Sequence, residues 1–197
     1  MSEKQFLNYY FKLVSEVSKS IEVDELSKII YGLNLVRKNK GRVFLLGVGG
    51  SAANCSHMVN DLRKLCLIEA YSPCDNFSEF SARVNDEGWD SAFLEWLKVS
   101  RLSQKDALFI LSVGGGNKKK KISVNLIEAM NYAKSKKSKI FGIIGKKEGY
   151  AKEIGNSVLL IPSIDDKLIT PLCEGFQAVV WHAIVSSSLL QKNKTKW

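Results

Sequence analysis

Two histidines occur in the chain, and each stands at helical spacing from a carboxylate. His57 precedes Asp61 by four positions and Glu174 precedes His182 by eight, so each pair projects from one face of a helix. Imidazole nitrogens and carboxylate oxygens are donors suited to zinc or another divalent cation. A histidine, which titrates near neutrality, is equally suited to accept and return a proton beside a carboxylate. Plainer accounts stand next to these. His182 follows Trp181 inside an apolar stretch, as a core histidine would, and Asp61 lies three positions from Lys64, as in a surface ion pair.

Two glycine-rich turns carry the second kind of chemistry. In the first, Gly47, Gly49 and Gly50 let backbone N–H groups approach an anion, and Ser51 adds a hydroxyl at a helix N-terminus, where the dipole is positive. The second runs Ser112-Val113-Gly114-Gly115-Gly116-Asn117, again after an apolar run and before a helical pattern. Together they predict a phosphate cradle. Neither turn is a nucleotide fingerprint: the first lacks the GxGxxG spacing and a following acidic residue, and no Gly-Lys-Ser/Thr marks a P-loop. No nucleotide cofactor is expected.

The elements that must position these residues are legible as alternation. Apolar runs at 43–47, 107–112, 139–145 and 157–162, with a shorter one at 68–71, read as strands buried on both faces of a parallel sheet. Helical patterns at 52–65, 90–100 and 122–135 lie between them, which implies right-handed crossovers and an α/β sandwich. Two amphipathic helices are expected at 2–20 and 22–39. A long last helix is expected from Leu172 through Leu190, with Thr170 as its N-cap and Pro171 at its first position. Ligands of such sheets bind at the carboxyl ends of the strands, where both turns fall.

A chain of 197 residues with 45% hydrophobic and 25% charged residues is expected to form one domain over 1–197 with a substantial core. No apolar run reaches the roughly 18 to 20 residues that span a bilayer. The amphipathic N-terminus does not resemble a signal peptide, so a cytoplasmic protein without membrane contact is expected. The net charge of +9 gathers in lysine runs at 118–121, 134–139 and 192–196. These are poor in arginine and lack interleaved aromatics, a pattern that fits attraction of anionic metabolites better than nucleic-acid binding. Cys55, Cys66, Cys74 and Cys173 lack CxxC pairing and are expected as free thiols.

The segment GRVFLLGVGGSAANCSHMVNDL resembles the first signature of sugar isomerase (SIS) domains, of the phosphoheptose isomerase branch. The resemblance continues over Asn85-Asp86-Glu87-Gly88-Trp89, the turn at 112–117 and the last helix with His182. It implies a three-layer, flavodoxin-like sandwich with a five-stranded parallel sheet, the helical segment 1–40 packing in a homotetramer with shared active sites. It implies aldose–ketose isomerisation of sedoheptulose 7-phosphate through an enediol. It further implies a divalent metal, zinc, on His57, Asp61, Glu174 and His182, with His182 and Asp61 or Glu174 as the acid–base pair. Substrate would touch Gly49, Gly50, Ser51, Asp75, Asn85, Asp86, Ser112, Gly114, Gly115, Asn117 and Gln177.

The chain departs from the family pattern at several places. Val48 replaces an asparagine, Val113 and Gly114 replace two hydroxyl residues, the lysines at 118–121 look inserted, Asp61 shortens a glutamate, and Glu174 replaces a glutamine. These departures mark a divergent subgroup. They leave open a different phosphosugar as substrate, or a non-catalytic phosphosugar-binding domain.

Overall fold

The computed structural model describes residues 1–195; Lys196, the end of the basic tail, lies outside them. Helix α1 (Glu3–Lys19) opens on a capping box in which the Ser2 hydroxyl accepts from the Gln5 N–H and the Gln5 side chain accepts from the Ser2 N–H. Helix α2 (Val23–Lys38) follows, then strand β1 (Arg42–Leu46), helix α3 (Gly50–Lys64) and strand β2 (Glu69–Tyr71). A 3-10 turn at Pro73–Asp75 leads into α4 (Phe77–Glu87) and α5 (Ala92–Val99). The chain then alternates β3 (Ala107–Ser112), α6 (Val124–Ser135), β4 (Lys139–Ile144), α7 (Tyr150–Ile154) and β5 (Ser157–Leu160), and closes with α8 (Ile169–Val185).

All five strands are parallel, in the order β2-β1-β3-β4-β5. The apolar runs are continuous because alternate residues serve opposite layers. Val43 and Leu45 of β1, with Phe109 and Leu111 of β3, pack under α2, α3 and α8. Phe44, Leu46, Leu108 and Ile110 pack under α5, α6 and α7. This is the expected three-layer sandwich. Strand order reverses between β1 and β3, whose following turns are the two glycine-rich segments, so both sit at the topological switch point.

The last helix differs from expectation at both ends. It begins at Ile169 after Leu168, whose side chain makes no capping bond. Thr170 and Pro171 therefore lie inside the first turn, where a missing N–H costs nothing because those donors have no intrahelical partner. It stops at Val185 rather than Leu190, as Ser186, Ser187 and Ser188 compete with the helical backbone. Arg37 clamps the tail that follows, donating to the carbonyls of Leu189 and Leu190 and to that of Cys66. Helices α4 and α7 have no counterpart in the sequence reading; α4 has no buried residue and α7 is five residues long, so neither prints a core-facing stripe.

Candidate functional site

Helix α3 starts in the turn after β1 because Gly49, at φ +63°, takes a left-handed conformation that favours glycine. Gly47 is required sterically: a Cβ there would lie 2.7 Å from the backbone of Ser51. Helix α8 lies alongside α3, and their contacts run in order along both helices. Ser51 meets Glu174, Asn54 donates to the Glu174 carbonyl and to the Gln177 side chain, and Asp61 meets His182. Gln177, fully buried, is thus spent on the helix interface.

At the far end of this pair the structure brings three of the four chemistry-bearing residues together. Donor atoms of His57, Asp61 and His182 all lie within 4.8 Å of one another. His182 Nε2 is 3.9 Å from Asp61 Oδ2, and the two histidine rings meet edge to face at 5.3 Å between centroids. His182 Nδ1 lies 2.7 Å from the Ala178 carbonyl. A carbonyl only accepts, so that nitrogen carries a proton and Nε2 is the nitrogen that faces Asp61. Asp61 is 7% exposed, and its other oxygen accepts from the Asn60 amide at 2.8 Å. Two imidazoles at the surface and a carboxylate oriented by Asn60 are a donor set that fits a divalent cation.

Glu174 stands apart from this trio. Its Oε1 accepts from the Ser51 N–H at 3.2 Å and lies 3.5 Å from the Ser51 hydroxyl. A Cβ on Gly50 would come within 2.5 Å of its other oxygen. The carboxylate is therefore lodged in the first glycine turn, about two helical turns from His182, because Gly50 leaves room and the α3 N-terminus attracts a negative charge.

The second turn is committed largely to structure. The Gly115 N–H donates to the Ser112 hydroxyl, and the carbonyls of Gly115 and Gly116 accept from the first amides of α7. Gly114 is half-buried with open space around its Cα, whereas Gly115 and Gly116 are buried with positive φ. Asn117 pairs with Ile122 across a small bridge and its side chain accepts from the Lys120 N–H, closing the lysine run into a loop. A cavity of about 530 Å³ opens beside this edge, between the turn after β4 and the start of α8, lined by Lys146, Lys147, Ser163 and Asp166.

No family model matches the chain. The lincomycin biosynthesis protein LmbN of Streptomyces lincolnensis is 30% identical over 154 residues, 73% of this chain and 54% of that protein. The chain thus spans about half the length of that relative. A phosphoheptose isomerase of a Nitratiruptor species is 28% identical over 192 residues, covering 91% of this chain and 96% of the relative. The solved structure of phosphoheptose isomerase GmhA from Neisseria gonorrhoeae superposes with a TM-score of 0.81 over 93% of this chain and 98% of that one, at 19% identity. The chain is thus similar in sequence and in fold to phosphoheptose isomerases. The identities are low, so the chain is a divergent relative of these proteins, with their fold.

The remaining expected residues are scattered. Asp75 is exposed and caps the 3-10 turn, accepting from the Ser72 N–H and the Ser56 hydroxyl. Asn85 and Asp86 lie on the exposed end of α4, bonded to one another. Ser123 escaped the sequence reading. It is the N-cap of α6, at φ +53°, and its side chain makes no capping bond. A serine directly before the pattern VNLIEAM was the available signal, masked by the lysine run in front of it.

Proposed function

We propose that this chain interconverts the ketose and aldose forms of a phosphorylated sugar through an enediol, with sedoheptulose 7-phosphate as substrate and a heptose 7-phosphate as product, for surface-polysaccharide heptose. The observation that carries this reading is the approach of His182 Nε2 to Asp61 at one end of the α3–α8 pair, with the phosphate turn at the other. A sugar whose phosphate rests on the Ser51 turn would extend its carbonyl end along α3 towards His57, Asp61 and His182.

With Nδ1–H held by the Ala178 carbonyl, the free Nε2 takes the proton from the carbon next to the carbonyl. The resulting imidazolium faces the Asp61 carboxylate, which stabilises it. The same nitrogen then delivers the proton to the neighbouring carbon, and the hydroxyl proton shifts between the two oxygens of the enediol. A divalent cation, zinc by the donor set, would be held by His57, Asp61 and His182 and would polarise the sugar carbonyl when bound. The Nε2 lone pair serves one partner at a time, so cation and proton compete for it. Phosphate would be held at the N-termini of α3 and α6 by Ser51, Ser112 and Ser123, with Gly114 and the lysine loop adding donors.

The reading includes a homotetramer with active sites shared between subunits. It is supported by Phe6, Leu7 and Phe11 exposed on α1, and by Phe77 exposed on α4, which has no buried residue of its own. The test is an NMR or coupled assay with sedoheptulose 7-phosphate, comparing wild type with His182→Ala. Conversion by wild type and its loss in the variant is the expected result. If wild type gives no conversion with or without zinc, while a phosphosugar still raises Tm, the chain is a binding domain.

A further inference from the structure

We infer that Glu174 is an internal competitor for phosphate: its carboxylate fills the anion seat at the N-terminus of α3, and an incoming phosphate must displace it. The inference rests on the phosphosugar reading of this turn and adds to it a residue that sets how tightly phosphate is held there. Three observations carry it. The Ser51 N–H, the donor a phosphate oxygen would use, is engaged by Glu174 Oε1 at 3.2 Å, with the Ser51 hydroxyl 3.5 Å from the same oxygen. The space opened by the missing side chain of Gly50 is filled by the same carboxylate, whose oxygens and Cδ stand 2.5 to 2.9 Å from where a Cβ would be. Among the described residues, no ion pair is formed by Glu174, so the helix N-terminus is what balances its charge.

Two anions cannot share one seat. A ligand that offers only phosphate must expel the carboxylate with the phosphate contacts alone. A whole phosphosugar also contacts the His57, Asp61 and His182 end, and those contacts help drive the exchange. Glu174 thereby weakens binding of both ligands by the same factor, and the complete substrate, with its added contacts, still binds where inorganic phosphate alone does not. A neutral amide at this position keeps the size and one acceptor for the Ser51 N–H but removes the repulsion.

The test is calorimetric titration of the full chain with inorganic phosphate and, separately, with sedoheptulose 7-phosphate, for wild type, Glu174→Gln and Glu174→Ala. Two variants guard against a folding failure of one. The expected result is inorganic phosphate binding about tenfold tighter in both variants than in wild type, with a like gain for the sugar phosphate. If wild type isomerises the sugar phosphate while the variants hold inorganic phosphate no tighter than it does, the inference is overturned and the function stands. If no form binds either ligand, the phosphate reading of the turn and the inference fall together.

Discussion

His182 and Asp61 come from helices far apart in the chain, α8 and α3, yet Nε2 and Oδ2 lie 3.9 Å apart. The histidine is surface-exposed and the aspartate is buried, so substrate can reach the ring, whose orientation the Ala178 carbonyl fixes through Nδ1. His182→Ala should lower kcat/KM by about 10² to 10⁴, the usual contribution of a positioned acid–base group. Asp61→Asn should lower it by less, because the amide keeps an acceptor but no charge. Since the two act as a unit, the double variant should lose little more than His182→Ala alone; multiplying losses in the NMR assay would show that they work separately.

Metal binding separates the trio from Glu174. Equilibrium dialysis against zinc should show affinity reduced by more than about tenfold in each of His57→Ala, Asp61→Asn and His182→Ala, the scale on which even outer partners of a metal act. Glu174→Gln should bind zinc as wild type does, because the Glu174 carboxylate is engaged at the Ser51 turn. Loss of zinc in that variant would mean the carboxylate leaves the turn to serve as a fourth ligand.

The parts of this site that the sequence made legible are those written in local spacing. Gly47, Gly49 and Gly50 between an apolar strand and a helix announce a tight strand-to-helix turn, and His57 four positions before Asp61 announces a shared face. The apolar runs of β1 and β3 announce a sheet buried on both sides, and their alternation with helices announces that it is parallel. What was not legible depends on rotamers and on long-range packing. Glu174 has the same eight-residue spacing to His182 whether it turns towards the trio or towards Ser51, and the space at Gly50 decided it. Gln177 could have faced a ligand, but the Asn54 amide one turn along α3 claims it. Ser123 became an N-cap only once the lysine run folded back on the Asn117–Ile122 bridge.

The Arg42–Asp106 ion pair, at the amino-terminal ends of β1 and β3, contributes to acid stability. Burial pushes the Asp106 carboxyl up, but the Arg42 guanidinium at 2.9 Å, with the backbone N–H groups of Arg42 and Ser103, outweighs it and holds the pKa below the ordinary carboxylate range. A depressed folded pKa gives stability that is full above the unfolded value near ~3.9 and is lost as pH falls through the folded one. Asp106→Asn should therefore cost about 2 to 4 kcal/mol at pH 7, by leaving a part-buried guanidinium without its counter-charge. Urea midpoints should differ most between the two proteins at neutral pH and converge below about pH 3; a constant difference across that range would refute the assignment.

The four thiols should react in a fixed order. Burial pushes the Cys55 thiol well up, takes Cys66 to about 11 and, with the Glu174 carboxylate nearby, takes Cys173 to about 12. Cys74, half-buried within the 3-10 turn, is raised too, by burial first, but of the four it alone is not fully buried. Because the thiolate is the nucleophile, a thiol at 11 or above is about 10² times less ionised at pH 8 than an ordinary one. Titration of the native protein with a disulfide reagent at pH 8 should thus modify Cys74 first and slowly, and the other three only after denaturant is added. Cys74→Ser should abolish the native phase. Rapid native modification of Cys173 instead would mean that α8 swings away from α3 in solution, and with it both Glu174 and His182.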